Sequence, residues 1–198
     1  MTRSVICYTI VLLITASVSI QSLAVGRPRV IVTTDGEIDD QQSFIRFLHY
    51  CNEWKTEGLV YSNSVHHSVG HNWAGAEWIE SQIDAYEKDY PNLKVHDERY
   101  PEPDRLRSVI AVGEIHTVGW PKPGGNGPTT GSNLIVSALE KDDPSPVYVQ
   151  CWGGSNTAAQ ALYDLKHSRG YSEEEAQRVG SKMIIYLVTT QEDQDSKQ

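Results

Sequence analysis

An apolar run that leads directly into a cluster of carboxylates is the strongest constraint on how this chain folds. Residues 29–34 are rich in valine and isoleucine and show little alternation between apolar and polar residues, as expected of a strand that is covered on both faces. The next six residues carry four carboxylates, on Asp35, Glu37, Asp39 and Asp40. Because these charges repel one another, a folded protein keeps them together only with a compensating cation or hydrogen-bond network. A hard cation held by oxygen ligands meets that requirement, and we predict one here.

The acidic loop allows two interpretations. Asp35 stands at the predicted strand end and Asp40 at the predicted helix start, so a turn between them can bring both carboxylates onto one Ca²⁺ ion. A water bound to such an ion gives up its proton more readily, and a neighbouring carboxylate can accept it. Alternatively, the acidic residues only stabilise the first turn of a helix. Asp39 and Asp40 fit this second interpretation, whereas Asp35 does not.

Strand and helix patterns alternate along the chain after this loop. We predict further strands at residues 58–62, 109–113, 147–152 and 183–188. We predict helices from the acidic loop to Cys51, at residues 73–90 ending before Pro91, at 132–140, at 155–166, and from Ser172 onward. Residues 97–130 are rich in proline and glycine and are predicted to form long loops around one short strand. The alternation predicts a three-layer α/β fold with a mostly parallel sheet.

Polar loops follow the predicted strands. Ligands of open parallel sheets bind outside the carboxyl ends of the strands, so we expect residues 35–40, 62–67 and 152–156 to converge there. A fourth candidate loop follows the last strand. Asn63 and Asn156 would line this crevice by their positions and are our candidate substrate-binding side chains.

Two segments carry a resemblance to known families. Residues 32–40, Val-Thr-Thr-Asp-Gly-Glu-Ile-Asp-Asp, resemble the N-terminal fingerprint of the inosine-uridine nucleoside hydrolases, a strand followed by Asp-x-Asp-x-x-x-Asp-Asp. Residues 146–163 contain Trp-Gly-Gly-Ser-Asn-Thr-Ala-Ala-Gln-Ala-Leu and are similar to a narrower, secreted nucleoside-hydrolase-like family described as cellulose-binding. The likeness covers most of residues 28–193. It implies a nucleoside-hydrolase-like, Rossmann-like version of the three-layer fold.

The resemblance also implies roles for individual residues. Asp35 would be a calcium ligand and the catalytic base, Asp40 a second calcium ligand, and the backbone carbonyl of Trp152 a third. Asp39 would hold ribose hydroxyls. The implied reaction is hydrolysis of an N-glycosidic bond in a ribonucleoside-like substrate by a calcium-activated water. A secreted carbohydrate-binding or cellulose-binding protein without turnover is the competing hypothesis, and a fragment without function is a third.

The chain departs from the fingerprint at two places. Thr33 stands where the pattern has its first aspartate, and Gly36 and Glu37 replace the usual Pro-Gly pair, which adds a charge beside the site. The nucleoside hydrolases also take a calcium-binding aspartate from their C-terminal half, and the narrower family carries a further β domain. We therefore expect residues 25–198 to be the N-terminal portion of a nucleoside-hydrolase-like domain.

The first 24 residues have the layout of a secretory signal peptide. Arg3 precedes an apolar run at residues 5–20, and Ser22 to Ala24 supply small residues for cleavage. A membrane anchor is the alternative, but threonines and serines interrupt the run, which is short for a span of about 20 apolar residues. We expect cleavage and secretion, with no membrane association of the mature protein.

Charge, cysteines and aromatic residues narrow the partners further. The formal net charge of −9 and the lack of a basic stripe argue against nucleic acid as a ligand.

Cys51 and Cys151 could form a disulfide after secretion or be buried separately, and the sequence leaves both alternatives open. Trp73, Trp78 and Tyr86 could stack on sugars, although their spacing favours core packing for Trp78. Oligomeric state is not indicated.

Overall fold

The computed structural model of the chain describes residues 26–66, 77–117 and 124–187, and these form one sheet with helices on both faces. The predicted signal peptide lies outside them. None of the helices in the described ranges is long and apolar enough to cross a membrane. The elements are β1 (Arg29–Thr34), α1 (Ile38–His49), β2 (Lys55–Tyr61), α2 (Trp78–His96), α3 (Pro103–Arg107), β3 (Ile110–Val112), α4 (Thr130–Glu140), β4 (Val147–Cys151), α5 (Asn156–His167), α6 (Glu173–Gly180) and β5 (Met183–Leu187).

The sheet has the strand order β3-β2-β1-β4-β5, and every pair is parallel. The chain builds outward from β1 to β3 and then crosses back to add β4 on the other side of β1. The connections after β1 and β4 therefore run to helices on opposite faces of the sheet, the arrangement in which open α/β sheets bind ligands at the carboxyl ends of their strands. The prediction of a three-layer α/β fold is confirmed.

Side chains of β1 alternate between two separate cores. Val30 and Val32 of β1 join the core formed with α1, α2 and α3, whereas Ile31 joins the core formed with α4, α5 and α6. In β4, Val147 and Val149 belong to this second core. The largely unbroken apolar sequence of β1 follows from this burial on both faces.

The amino-terminal edge of the sheet is held by a buried arginine. The Arg29 side chain is almost fully buried, and its Nε donates to Glu57 at 3.0 Å. Its two terminal nitrogens donate to the carbonyls of Ala138 at 2.5 Å and Ser145 at 3.2 Å. Because a buried charge is tolerated only when it is paired and hydrogen-bonded, this set of contacts fixes β1 against β2 and the α4–β4 turn.

Two predictions about the middle of the chain were wrong. Helix α2 does not end before Pro91 but continues to His96, and α3 was not predicted at all. Pro91 lies on the exposed side of α2, while Tyr90 and Leu93 pack against the first core. This burial beyond the proline outweighs the missing backbone hydrogen bond, which sequence pattern alone does not reveal.

The structure settles the state of two cysteines and two aromatic residues. Cys51 and Cys151 are both buried, and they belong to cores on opposite faces of the sheet, so they do not pair with each other. Trp78 and Tyr86 are also buried in the first core, which confirms core packing for Trp78. Trp73, the third aromatic residue of the predicted stacking face, lies outside the described residues.

We predict that neither cysteine reacts in the folded protein. Burial raises the pKa of the Cys51 thiol to about 11, so little thiolate is present at neutral pH. Alkylation followed by peptide mapping should label both residues only after unfolding in denaturant without reductant. Recovery of a peptide linking Cys51 to Cys151 would contradict the prediction.

Candidate functional site

The acidic loop lies at the carboxyl end of β1, beside the crevice. Asp35 directly follows β1, and Asp40 lies in the first turn of α1. Gly36 has a left-handed φ of 78°, and a Cβ atom there would lie 2.6 Å from Nε1 of Trp78. Glycine therefore lets the turn pack against the core, and the turn brings the two predicted calcium-binding carboxylates together.

Asp35 and Asp40 form a buried, hydrogen-bonded carboxyl pair. Oδ2 of Asp40 accepts from Oγ1 of Thr34 at 2.5 Å and from the backbone N–H of Asp35 at 3.1 Å. Oδ1 of Asp35 accepts from the backbone N–H of Glu37 at 3.3 Å. Ser64, in the loop after β2, also hydrogen-bonds to the Asp35 side chain.

Burial raises the pKa of both carboxyl groups. Desolvation is the largest cause for each, and it raises the pKa of Asp40 to about 7. The neighbouring Asp35 carboxylate also raises the pKa of Asp40, because like charges repel. Asp40 forms no ion pair within the part of the chain that the structure describes. A bound cation would supply the missing positive charge.

The end of β4 lies directly against this pair. The backbone N–H of Trp152 donates to the Thr33 carbonyl at 2.8 Å, which extends the β1–β4 ladder by one residue. A Cβ atom at Gly153 would lie 2.5 Å from Cγ of Asp35. The structure thus brings Asp35, Asp40 and Trp152, the three predicted calcium ligands, to one place.

Other oxygen atoms at this edge are consistent with a hard cation. In the described ranges no group of three or more His, Cys, Asp or Glu side chains could hold a metal. Calcium also accepts hydroxyl, carbonyl and water oxygens, so two carboxylates are enough to begin a site. The buried hydroxyls of Thr33 and Ser62 have no hydrogen-bond partner among the residues described. Carboxylate and hydroxyl oxygens are therefore the donor types present at this edge, and they are the types that calcium accepts.

The predicted substrate-binding residues occupy two positions. Asp39 is exposed in the first turn of α1, where Oδ1 accepts from the backbone N–H of Asp40 at 3.1 Å. Asn63 and Asn156 lie together and are almost fully buried, with their side-chain amides 3.0 Å apart. Asp39 is therefore exposed on α1, whereas the two amides are buried where the loop after β2 meets the start of α5.

The loop after β3 contacts Asn156, and this contact was not predicted from the sequence. Nδ2 of Asn156 donates to the Thr117 carbonyl at 3.1 Å, and the Glu114 carboxylate accepts from the backbone N–H groups of His116 and Thr117. Oγ1 of Thr157 accepts from the Glu114 N–H at 2.9 Å. The turn signals of residues 113–117 indicated a loop, but nothing in the local pattern indicated its neighbours.

We predict that Gly153→Ala disturbs the site, because the new methyl group must displace Asp35. Overpacking of this kind costs about 1–3 kcal/mol, measured as the change in free energy of unfolding in urea. Gly180→Ala is the matched control, since its Cβ would lie 3.6 Å from Leu162, an ordinary contact. Equal stability of Gly153→Ala and wild type would contradict the close approach.

The raised pKa of Asp40 predicts a pH-dependent stability in the presence of chelator. A carboxyl group whose pKa is raised on folding stabilises the protein below its ordinary pKa of 3.8, and this contribution disappears as the pH rises through about 7. The free energy of unfolding should therefore fall between pH 4 and pH 8. Asp40→Asn, which cannot ionise, should reduce that fall by on the order of 2–4 kcal/mol.

Urea unfolding of both proteins at several pH values measures this difference. Asp142→Asn, an exposed carboxylate at the opposite edge of the sheet, serves as the control and should behave as wild type. Parallel stability curves for wild type and Asp40→Asn would contradict the assignment.

Comparison with known proteins agrees with this architecture. A solved structure described as a nucleoside hydrolase-related hypothetical protein from Saccharophagus degradans, associated with carbohydrate metabolism, shares 37% sequence identity with a TM-score of 0.76. The match covers 85% of this chain and 40% of that one, so this chain spans less than half of its structural neighbour. No curated protein sequence matches significantly. The profile of the family described as cellulose-binding Sde182, nucleoside hydrolase-like domain, matches residues 29–197, and the chain belongs to that family.

Proposed function

We propose that this domain hydrolyses the N-glycosidic bond of a ribonucleoside-like substrate with a calcium-activated water. The observation that carries the proposal is the buried Asp35–Asp40 pair at the β1–β4 crevice, whose pKa values are raised by desolvation. Strong perturbation of this kind in a cleft is typical of functional carboxylates. Membership of the nucleoside-hydrolase-like family supports the same reaction class.

Calcium would be held by the carboxylates of Asp35 and Asp40 and by the backbone carbonyl of Trp152. When bound, it would make a coordinated water more acidic and keep both carboxyl groups ionised. In the ionised state, Asp35 retains hydrogen bonds from Ser64 and from the Glu37 N–H, which orient its oxygens.

Asp35 acts as the general base in this proposal. It accepts a proton from the water as the water oxygen attacks the anomeric carbon. The bond from that carbon to the nucleobase nitrogen breaks, and its electron pair leaves with the nucleobase. Its carboxylate is placed for this role by the hydrogen bonds from Ser64 and the Glu37 N–H. The negative charges of the site stabilise the oxocarbenium-like transition state.

Substrate hydroxyls would be held at the rim and the floor of the crevice. Asp39 is exposed and free to accept hydrogen bonds from ribose hydroxyls with its second oxygen. Asn63 and Asn156 would contact the substrate by exchanging the hydrogen bonds that they now make with each other and with Thr117. These two amides would also set the position of the loop after β3.

We further propose that the protein is secreted, with residues 1–24 removed. A carbohydrate ligand is consistent with the description of the family as cellulose-binding. Binding of a glycan without turnover remains the competing function, and the experiment below separates it from hydrolysis.

The purified protein should show a calcium-dependent rise in melting temperature, because a ligand that binds only the folded state stabilises it. Asp35→Asn should abolish the calcium-dependent release of nucleobase from a panel of nucleosides. The control variant Asp142→Asn should keep this activity. Calcium stabilisation without any release of base, together with retention on cellulose, would favour glycan binding over hydrolysis. The absence of a calcium effect on melting would contradict the metal site.

A further inference from the structure

The carboxylate of Glu114 collects three hydrogen-bond donors in the loop after β3. Its Oε1 accepts from the backbone N–H groups of His116 at 2.8 Å and Thr117 at 2.9 Å. Its Oε2 accepts from Nδ2 of Asn126 at 2.9 Å, and the same nitrogen donates to Oγ1 of Thr117 at 2.7 Å. The structure describes this loop up to residue 117 and again from residue 124, so one side chain joins its two described parts.

The same loop is attached to the start of α5. The backbone N–H of Glu114 donates to Oγ1 of Thr157 at 2.9 Å, and a Cβ atom at Gly113 would lie 2.4 Å from that oxygen. Nδ2 of Asn156 donates to the Thr117 carbonyl at 3.1 Å, while its Oδ1 accepts from the backbone N–H of Thr157 at 2.8 Å. The Asn156 amide is therefore held at both ends, and the loop supplies the partner at one of them.

Asn63 depends on the loop in a similar way. One terminal atom of its amide lies 3.2 Å from the carbonyl oxygens of both Glu114 and Thr117, a position from which an amide nitrogen donates to both. Asn63 is 2% exposed and Asn156 is 3% exposed, so bulk water does not readily replace a partner that moves away. The positions of these loop carbonyls therefore set how the two candidate substrate-binding amides are turned.

Glu114 acts on these amides only through the loop backbone. Among the hydrogen bonds of the described residues, its carboxylate bonds to His116, Thr117 and Asn126 and to neither asparagine. A carboxylate suits this place because both of its oxygens accept hydrogen bonds and all three partners are donors. Without it, the two backbone N–H groups would need new partners, and the Thr117 carbonyl would lose the contact that fixes its position.

We propose that Glu114 is a positioning residue for the candidate site. Its carboxylate closes the base of the loop after β3 and places the Thr117 carbonyl, which in turn orients the amides of Asn63 and Asn156 toward the hydroxyl groups of a ribonucleoside-like substrate. This inference rests on the proposed function, because it assigns Glu114 to the binding of that substrate and not to proton transfer.

The first test is steady-state hydrolysis of inosine by the full chain in the presence of calcium. Glu114→Ala should raise KM about tenfold and leave kcat within about twofold, because it weakens contacts that the bound substrate and the transition state share. Glu114→Gln should restore KM to within about twofold of wild type, since its amide oxygen still accepts from the two backbone N–H groups.

Glu175→Ala is the matched control for the loss of a glutamate that holds a local turn. Oε2 of Glu175 accepts from the backbone N–H of Ser172 at 3.0 Å and from its hydroxyl at 2.9 Å, at the start of α6. This variant loses comparable hydrogen bonds away from the candidate site and should keep the wild-type KM. Asn126→Ala removes one of the three donors and should raise KM about threefold, which provides a second test if Glu114→Ala does not fold.

The second test is calorimetric binding of inosine without turnover. The double variant Asp35→Asn/Glu114→Ala should bind inosine about tenfold more weakly than Asp35→Asn alone. That result in a chain whose wild type does not hydrolyse inosine would contradict the proposed hydrolysis and still support the positioning role of Glu114. An equal KM or equal binding with and without Glu114 would overturn the positioning role alone.

Two further outcomes also decide the inference. A KM in Glu114→Gln as high as that in Glu114→Ala would overturn it, because the charge of the carboxylate and not the geometry of the loop would then be responsible. A wild-type chain that neither binds nor hydrolyses inosine would overturn both proposals. A circular dichroism melt of each variant verifies that it is folded.

Discussion

The close approach of β1 and β4 at their carboxyl ends is the constraint on which the rest of the structure depends. Gly153 has no side chain, so the chain leaving β4 can lie against Asp35. The Trp152 N–H bond to the Thr33 carbonyl keeps that approach in register. A side chain at this point would push Asp35 away from the chain that leaves β4.

Charged side chains are buried at both edges of the sheet, and a buried charge is costly unless it is paired and hydrogen-bonded. At the amino-terminal edge, Arg29 is paired with Glu57 and capped by backbone carbonyls, so the structure itself satisfies the charge. At the carboxyl edge, Asp35 and Asp40 share a hydrogen bond, and burial raises the pKa of both. The first arrangement stabilises the fold, whereas the second leaves a free-energy cost that a bound cation can offset.

Much of this arrangement was predictable because its signals are local. The β1 run, the acidic helix start and the capping box of Ser172 and Glu175 each lie within a few residues, and the structure has all of them. Helix α2 was harder, since its passage through Pro91 depends on packing of residues beyond the proline. The joining of Asn156 to the loop after β3 was also not predictable, because it depends on contacts across 39 positions of sequence.

By itself, the sequence determined the fold class, the order of the strands and of all the helices except α3, and the identity of the carboxylates at the end of β1. Periodicity and turn chemistry act over short distances, and they are sufficient for these features. Only the tertiary structure decided that Gly153 touches Asp35, that the two cysteines lie on opposite faces, and that Tyr148 and Tyr186 face solvent. Those outcomes depend on which strands become neighbours and where the helix layer ends, and both are set by packing of the whole sheet.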